Sequence, residues 1–88
     1  MPSFRLEILT PEGPVCEEDV RHVGAPGWEG GFGVLSRHAP MTAVLKPGIL
    51  TVTRGETIQE FSIEGGVVEI GDNRMTVLTS RAVPVPPA

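Results

Sequence analysis

The sequence predicts an all-β fold: a two-sheet antiparallel β-sandwich of about ten short strands with no substantial helix. Two observations carry this expectation. Apolar residues recur with a period of two, as in "FRLEIL", where Phe4, Leu6 and Ile8 alternate with Arg5 and Glu7. Nine prolines and eleven glycines punctuate the chain, roughly at the 8–12-residue spacing of turns in sandwiches and barrels. No stretch carries a clean helical stripe over about ten residues.

The elements follow in order. After "FRLEIL", the turn "PEG" leads into "PVCE", and "DVRHVGAP" presents Val20 and Val23 before Pro26-Gly27 stops it. The stretch "EGGFGVLSRHAP", residues 29–40, sets Gly30, Gly31 and Gly33 around Phe32. It reads as an exposed glycine-hinged loop that displays Trp28 and Phe32 at its tip or folds one of them under. Pro47-Gly48 reads as a turn before the β-branched strand "GILTVT". "IQEFSIE" alternates Phe61 and Ile63 against Glu60, Ser62 and Glu64, the pattern of a solvated outer face. "GVVEI" and "RMTVLTS" follow, joined by Gly71-Asp72-Asn73, which suits a tight hairpin with positive φ angles. The closing "AVPVPPA" contains Pro84, Pro86 and Pro87. It predicts an extended, polyproline-like end, so one domain over residues 1–83 and a tail over 84–88.

Bulk properties narrow the function. A chain of 88 residues holds one domain and little room for a deep cavity. The net charge of −4 and the 5% aromatic content argue against a nucleic-acid partner. No apolar run reaches the ~18 residues of a membrane span, and the first residues lack a secretory pattern, so a cytoplasmic protein is expected. Cys16 is the only cysteine, which rules out an internal disulfide. Glu17, Glu18 and Asp19 follow it and would raise its thiol pKa, so it reads as a small semi-buried hydrophobe. Charges are sorted along the chain. Arg37, Lys46 and Arg54 occupy a stretch without acids, and Glu56, Glu60, Glu64, Glu69 and Asp72 fill one without bases. The sorting reflects strand faces or distinct patches for distinct partners.

No chemistry is visible in the candidates. The glycine cluster leads into no helix and lacks the Lys-Ser/Thr pair of a phosphate loop. His38 has Ser36 nearby but no carboxylate to orient it, and it reads as a histidine that bonds the backbone and holds the loop. His22, His38 and Cys16 have no metal-ligand spacing. No metal, cofactor or catalytic residue is assigned. Trp28 and Phe32 on a hinged loop either plug the end of the sandwich or contact a partner.

Several segments together resemble a known family. "PEG" (11–13), "PGWEGGFGVLSRHAP" (26–40), "LKPGILTV" (45–52), "GGVVEI" (65–70) and "RMTVLTSRA" (74–82) are similar to the N-terminal β-sandwich domain of epsilon subunits of F-type ATP synthases. The resemblance implies a non-catalytic rotor subunit at the foot of the central stalk, bridging the gamma subunit and the c-ring. Its place would be the cytoplasmic face of the bacterial inner membrane, touching the membrane only through the complex. It implies a c-ring interface at Trp28, Glu29, Gly30, Gly31 and Phe32, and a gamma-subunit interface at Thr10, Arg37, His38, Met41 and Ala43. Gly31 stands where family members often carry a charged or polar residue, which favours backbone or apolar contact at the tip. Many members continue into a helical hairpin that regulates ATP hydrolysis. This chain stops at "AVPVPPA", so neither nucleotide binding nor that switch is expected. Two rivals remain: a free-standing β-sandwich binding module for a peptide or glycan, and a small lyase or hydrolase using His38.

Overall fold

The computed structural model describes residues 2–86. Residues 87 and 88 of the expected tail lie outside the described residues. Eight strands form: β1 (Phe4–Thr10), β2 (Gly13–Val20), β3 (His22–Gly27), β4 (Gly30–Leu35), β5 (Met41–Thr53), β6 (Ile58–Gly71), β7 (Arg74–Leu78) and β8 (Ala82–Val85). They are linked in the order β2-β1-β7-β6-β5-β3-β4, with β8 on β6.

The all-β expectation holds, and the strand count has a physical explanation. Pro47-Gly48 does not turn the chain back, because β5 runs through it. Likewise "IQEFSIE" and "GVVEI" are one strand, β6. The two pair along their whole length, and the ladder lapses only where Lys46 lies opposite Gly65. There Gly65 and Gly66 take φ of 96° and 135°. The paired ribbon bends at this point and serves two layers. The first layer holds β2, β1, β7, the second half of β6 and the first half of β5. The second holds β8, the first half of β6, the second half of β5, β3 and β4. Each layer therefore has five strand segments.

Two features were not legible in the sequence. β1 and β7 pair in parallel, the single exception to the antiparallel pattern among the described strands. The expected tail boundary at 83/84 falls inside β8, where Pro84 lies opposite Phe61 and Val85 opposite Glu60. Among the described residues β8 pairs only with β6, so a residue without an amide donor is tolerated on this edge strand.

The alternation places the core as expected. Phe4, Leu6 and Ile8 from β1, Phe61 and Ile63 from β6, and Met75 and Val77 from β7 join Val23, Val34, Leu50 and Val52 in one buried cluster. Each such side chain contributes about 1.5–3 kcal/mol on leaving water. Glu60, Ser62, Glu64 and Glu69 face outward from β6. The β6–β7 turn is the predicted hairpin, with Asp72 and Asn73 at φ of 52° and 57°.

Candidate functional site

The stretch 29–40 is not one loop. Gly30–Leu35 is strand β4, so the glycine-rich segment is hydrogen-bonded to β3, with Gly33 opposite Gly24 and Phe32 opposite Ala25. Only Trp28 and Glu29 form the hairpin tip, and Gly30 alone among its glycines takes positive φ, 126°. That single left-handed step lets two ordinary residues occupy the turn. Gly33 has another purpose: a Cβ there would lie 2.8 Å from Nε2 of His22. The glycine makes room for that ring.

The two aromatic residues separate. Phe32 is half-buried and packs against the core, whereas Trp28 is 64% exposed. Phe32 therefore plugs the sandwich and Trp28 is displayed. The amide of Trp28 donates to the carbonyl of Val44 at 3.0 Å, which fastens the tip beside β5. Between tip and strand lies an open, mostly apolar cleft of about 610 Å³, lined by Gly27, Trp28, Glu29, Gly30, Phe32 and Met41–Val44. It gathers Trp28, Glu29, Gly30 and Phe32 with Met41 and Ala43, two sets that the family resemblance assigns to different interfaces. Gly31 is exposed next to them and pairs with Pro26.

The remaining residues of interest lie apart from this cleft. Thr10 lines a second, shallower cleft of about 440 Å³ with Leu9, Pro11, Glu64, Leu78 and Thr79. Its hydroxyl donates to the carbonyl of Gly13 at 3.0 Å. Arg37 and His38 occupy the turn after β4, where the His38 amide donates to Leu35 at 3.3 Å. Arg37 is held at φ 61°, and its amide donates to Oδ1 of Asn73 at 2.7 Å. The Asn73 amide nitrogen donates in turn to the carbonyl of Ser3 at 2.9 Å. Asn73 thereby anchors the Arg37 turn, a link between residues 36 apart in sequence that no local pattern announces. Nδ1 of His38 lies 2.7 Å from the Ala39 carbonyl, with its proton assigned from that contact. It holds its own loop, as the sequence suggested.

Cys16, Glu18 and Arg54 form a small network at the β2 edge. The Cys16 thiol is buried and donates to Oε2 of Glu18 at 3.4 Å. Burial first, and then its bond to Glu18, push the thiol up to about 11. Arg54 is bound to Glu18 through Nε and through a second nitrogen at 3.1 Å, so it is no part of a free basic patch. This hydrogen bond holds the Glu18 carboxyl below its ordinary value of 4.5, against the opposing effect of burial. A carboxyl lowered in the folded state stabilises the fold above its unfolded pKa and loses that contribution as pH falls through the folded value. Below about pH 4.5, then, wild-type stability should fall more steeply than that of Arg54→Met. Urea midpoints of both proteins across the acid range test this, and parallel curves would refute it.

The fold and the cleft define the class: a small β-sandwich domain with an open apolar edge. Residues 3–85 match the family model described as the ATP synthase delta/epsilon chain β-sandwich domain, and the chain belongs to that family. It is 45% identical over 86 residues to the ATP synthase epsilon chain of Rhodopseudomonas palustris strain TIE-1, covering 98% of this chain and 64% of that one. With the epsilon chain of Bradyrhizobium sp. strain ORS 278 it shares 44% identity over 82 residues, 93% of this chain and 61% of the relative. The chain thus spans just under two thirds of the length of these curated relatives. Among solved structures it is similar to a chain in the cryo-EM structure of Euglena gracilis mitochondrial ATP synthase, OSCP/F1/c-ring in rotational state 1. The TM-score there is 0.89 at 28% identity, over 96% of this chain and 54% of the other. A chain of the Tetrahymena thermophila mitochondrial ATP synthase central stalk and c-ring shares the fold, with a TM-score of 0.78 at 19% identity, over 89% and 63%.

Proposed function

We propose that this chain is a non-catalytic central-stalk element of an F-type ATP synthase. It bridges the gamma subunit and the c-ring at the cytoplasmic face of a bacterial inner membrane, so that ion flow and ATP synthesis stay coupled. The observation that carries this reading is the family match over nearly the whole chain. The edge cleft supports it by providing an apolar contact surface on a rigid body.

On this reading Trp28, Glu29, Gly30, Gly31 and Phe32 face the ring, while Thr10, Arg37, His38, Met41 and Ala43 face gamma. Because Met41 and Ala43 share the cleft with Trp28, ring and gamma meet this domain along one continuous edge. The subunit performs no bond chemistry. Its contribution is mechanical: strand ladders and a close-packed core resist shear, and the edge keeps the stalk seated as torque passes. The chain should co-elute on size exclusion with purified gamma subunit and with detergent-solubilised c-ring. Binding to neither would overturn the proposal.

A further inference from the structure

We propose that the outer face of the first sheet is a seat for an amphipathic helix of a second protein, with basic residues along one flank. The register carries the argument. Val44 lies opposite Val67, Val67 opposite Leu78, Leu78 opposite Leu9, and Leu9 opposite Pro14. Trp28 extends the row beyond Val44, to which it is hydrogen-bonded. Five strands and the β3–β4 tip therefore contribute one apolar residue each to a row on the solvent side. Val44, Leu78 and Val67 are 55%, 45% and 38% exposed. An outer sheet face normally carries polar residues at these positions, and a contiguous apolar row marks a contact surface. The row also joins the two clefts, since Trp28 and Val44 line one and Leu9 and Leu78 line the other.

The geometry selects the occupant. The row crosses the strands, and the backbone groups beneath it are already paired in the sheet, so an added β-strand has nothing to bind there. Four inter-strand steps and the hydrogen-bonded step to Trp28 span about 24 Å, the length of a helix of about 16 residues. The neighbouring outer row reads Thr42, Glu69, Thr76, Glu7 and Glu17. Glu7 is bound to Arg74, whereas Glu17 and Glu69 are exposed and have no cationic partner among the described residues. A helix lying on the apolar row would set one flank over these carboxylates, and lysine or arginine there complements them. The helical seat deepens the stalk reading, because its row joins the clefts that reading gives to ring and gamma; co-elution tests that reading separately.

Trp28 is the only tryptophan and reports on the seat. The test uses the whole 88-residue chain and a designed peptide of about 18 residues, with leucines on one face and lysines on one flank. The peptide should shift Trp28 emission to the blue saturably, and bind at least about tenfold more tightly than the same peptide with glutamate flanks. Val67→Glu should weaken binding at least about tenfold, and Ile49→Glu, on the outer face of the second sheet, should leave it unchanged. No shift, equal binding of both peptides, or equal loss with Ile49→Glu would overturn the proposal. So would sedimentation equilibrium showing that the free chain dimerises and that Val67→Glu abolishes the dimer, because the face would then seat a second copy. Saturable binding to anionic lipid vesicles through the same row would assign it to a membrane surface instead.

Discussion

Gly66→Ala is expected to destabilise the fold by on the order of 3 kcal/mol or more, lowering the melting midpoint by roughly 12–24 °C for a domain of this size. Gly66 has φ 135°, a region that side chains with a Cβ rarely enter. A Cβ there would lie 2.0 Å from the backbone carbonyl oxygen of Leu78. A flexible side chain could swing away, but this oxygen belongs to the strand neighbouring β6 and cannot move without disturbing the β6–β7 ladder. The clash falls where β6 bends from one layer to the other, so relieving it would also shift Val67 and the second cleft. Gly71→Ala is the control. Gly71 has no atom within 4 Å of its would-be Cβ and no positive φ, and its replacement should change the midpoint little. Thermal melts followed by circular dichroism decide the matter, and similar midpoints for the two variants would contradict the bend as described.

Trp28→Asp should abolish most ATP-driven ion pumping in membranes whose synthase carries the variant, with a loss of about tenfold or more. Stability of the isolated chain should stay close to wild type, because Trp28 is 64% exposed and contributes little to the core. Position 32 cannot separate the two effects. Phe32→Asp would place a carboxylate on a side chain packed against the core, so lost coupling could follow from lost folding. The tip also carries Glu29, and a further acid there adds like-charge repulsion to the loss of apolar area. Full pumping by Trp28→Asp, with the subunit retained, would remove the hairpin tip from the coupling surface.

Much of the fold was legible because period-two alternation is a local property. Phe4, Leu6, Ile8, Phe61 and Ile63 declare their faces from their neighbours alone, and Asp72-Asn73 declares its turn. What the sequence concealed is non-local. The parallel pairing of β1 with β7 and the docking of β8 on β6 depend on segments tens of residues apart. Pro47-Gly48 misleads because the same dipeptide chemistry serves a bend within a long strand as well as a turn between two strands. The glycine-rich stretch misleads for a related reason. Gly33 is a glycine because His22 lies across it, and that fact resides in the partner strand. Of the site, the aromatic pair was legible, with one ring folded under as one alternative, but not that Phe32 would be the plug and Trp28 the displayed ring. The union of Trp28 with Met41 and Ala43 follows from the backbone bond to Val44, which no spacing rule reveals.

The central claim is that the edge around Trp28 is a protein contact in the assembled synthase. Hydroxyl-radical footprinting read by mass spectrometry compares the isolated chain with the chain in the intact complex. Trp28 should oxidise readily in the isolated chain and be protected about tenfold or more on assembly, while Ile58, which is 69% exposed on the second sheet, serves as the internal reference. Equal oxidation of Trp28 in both states would contradict the account.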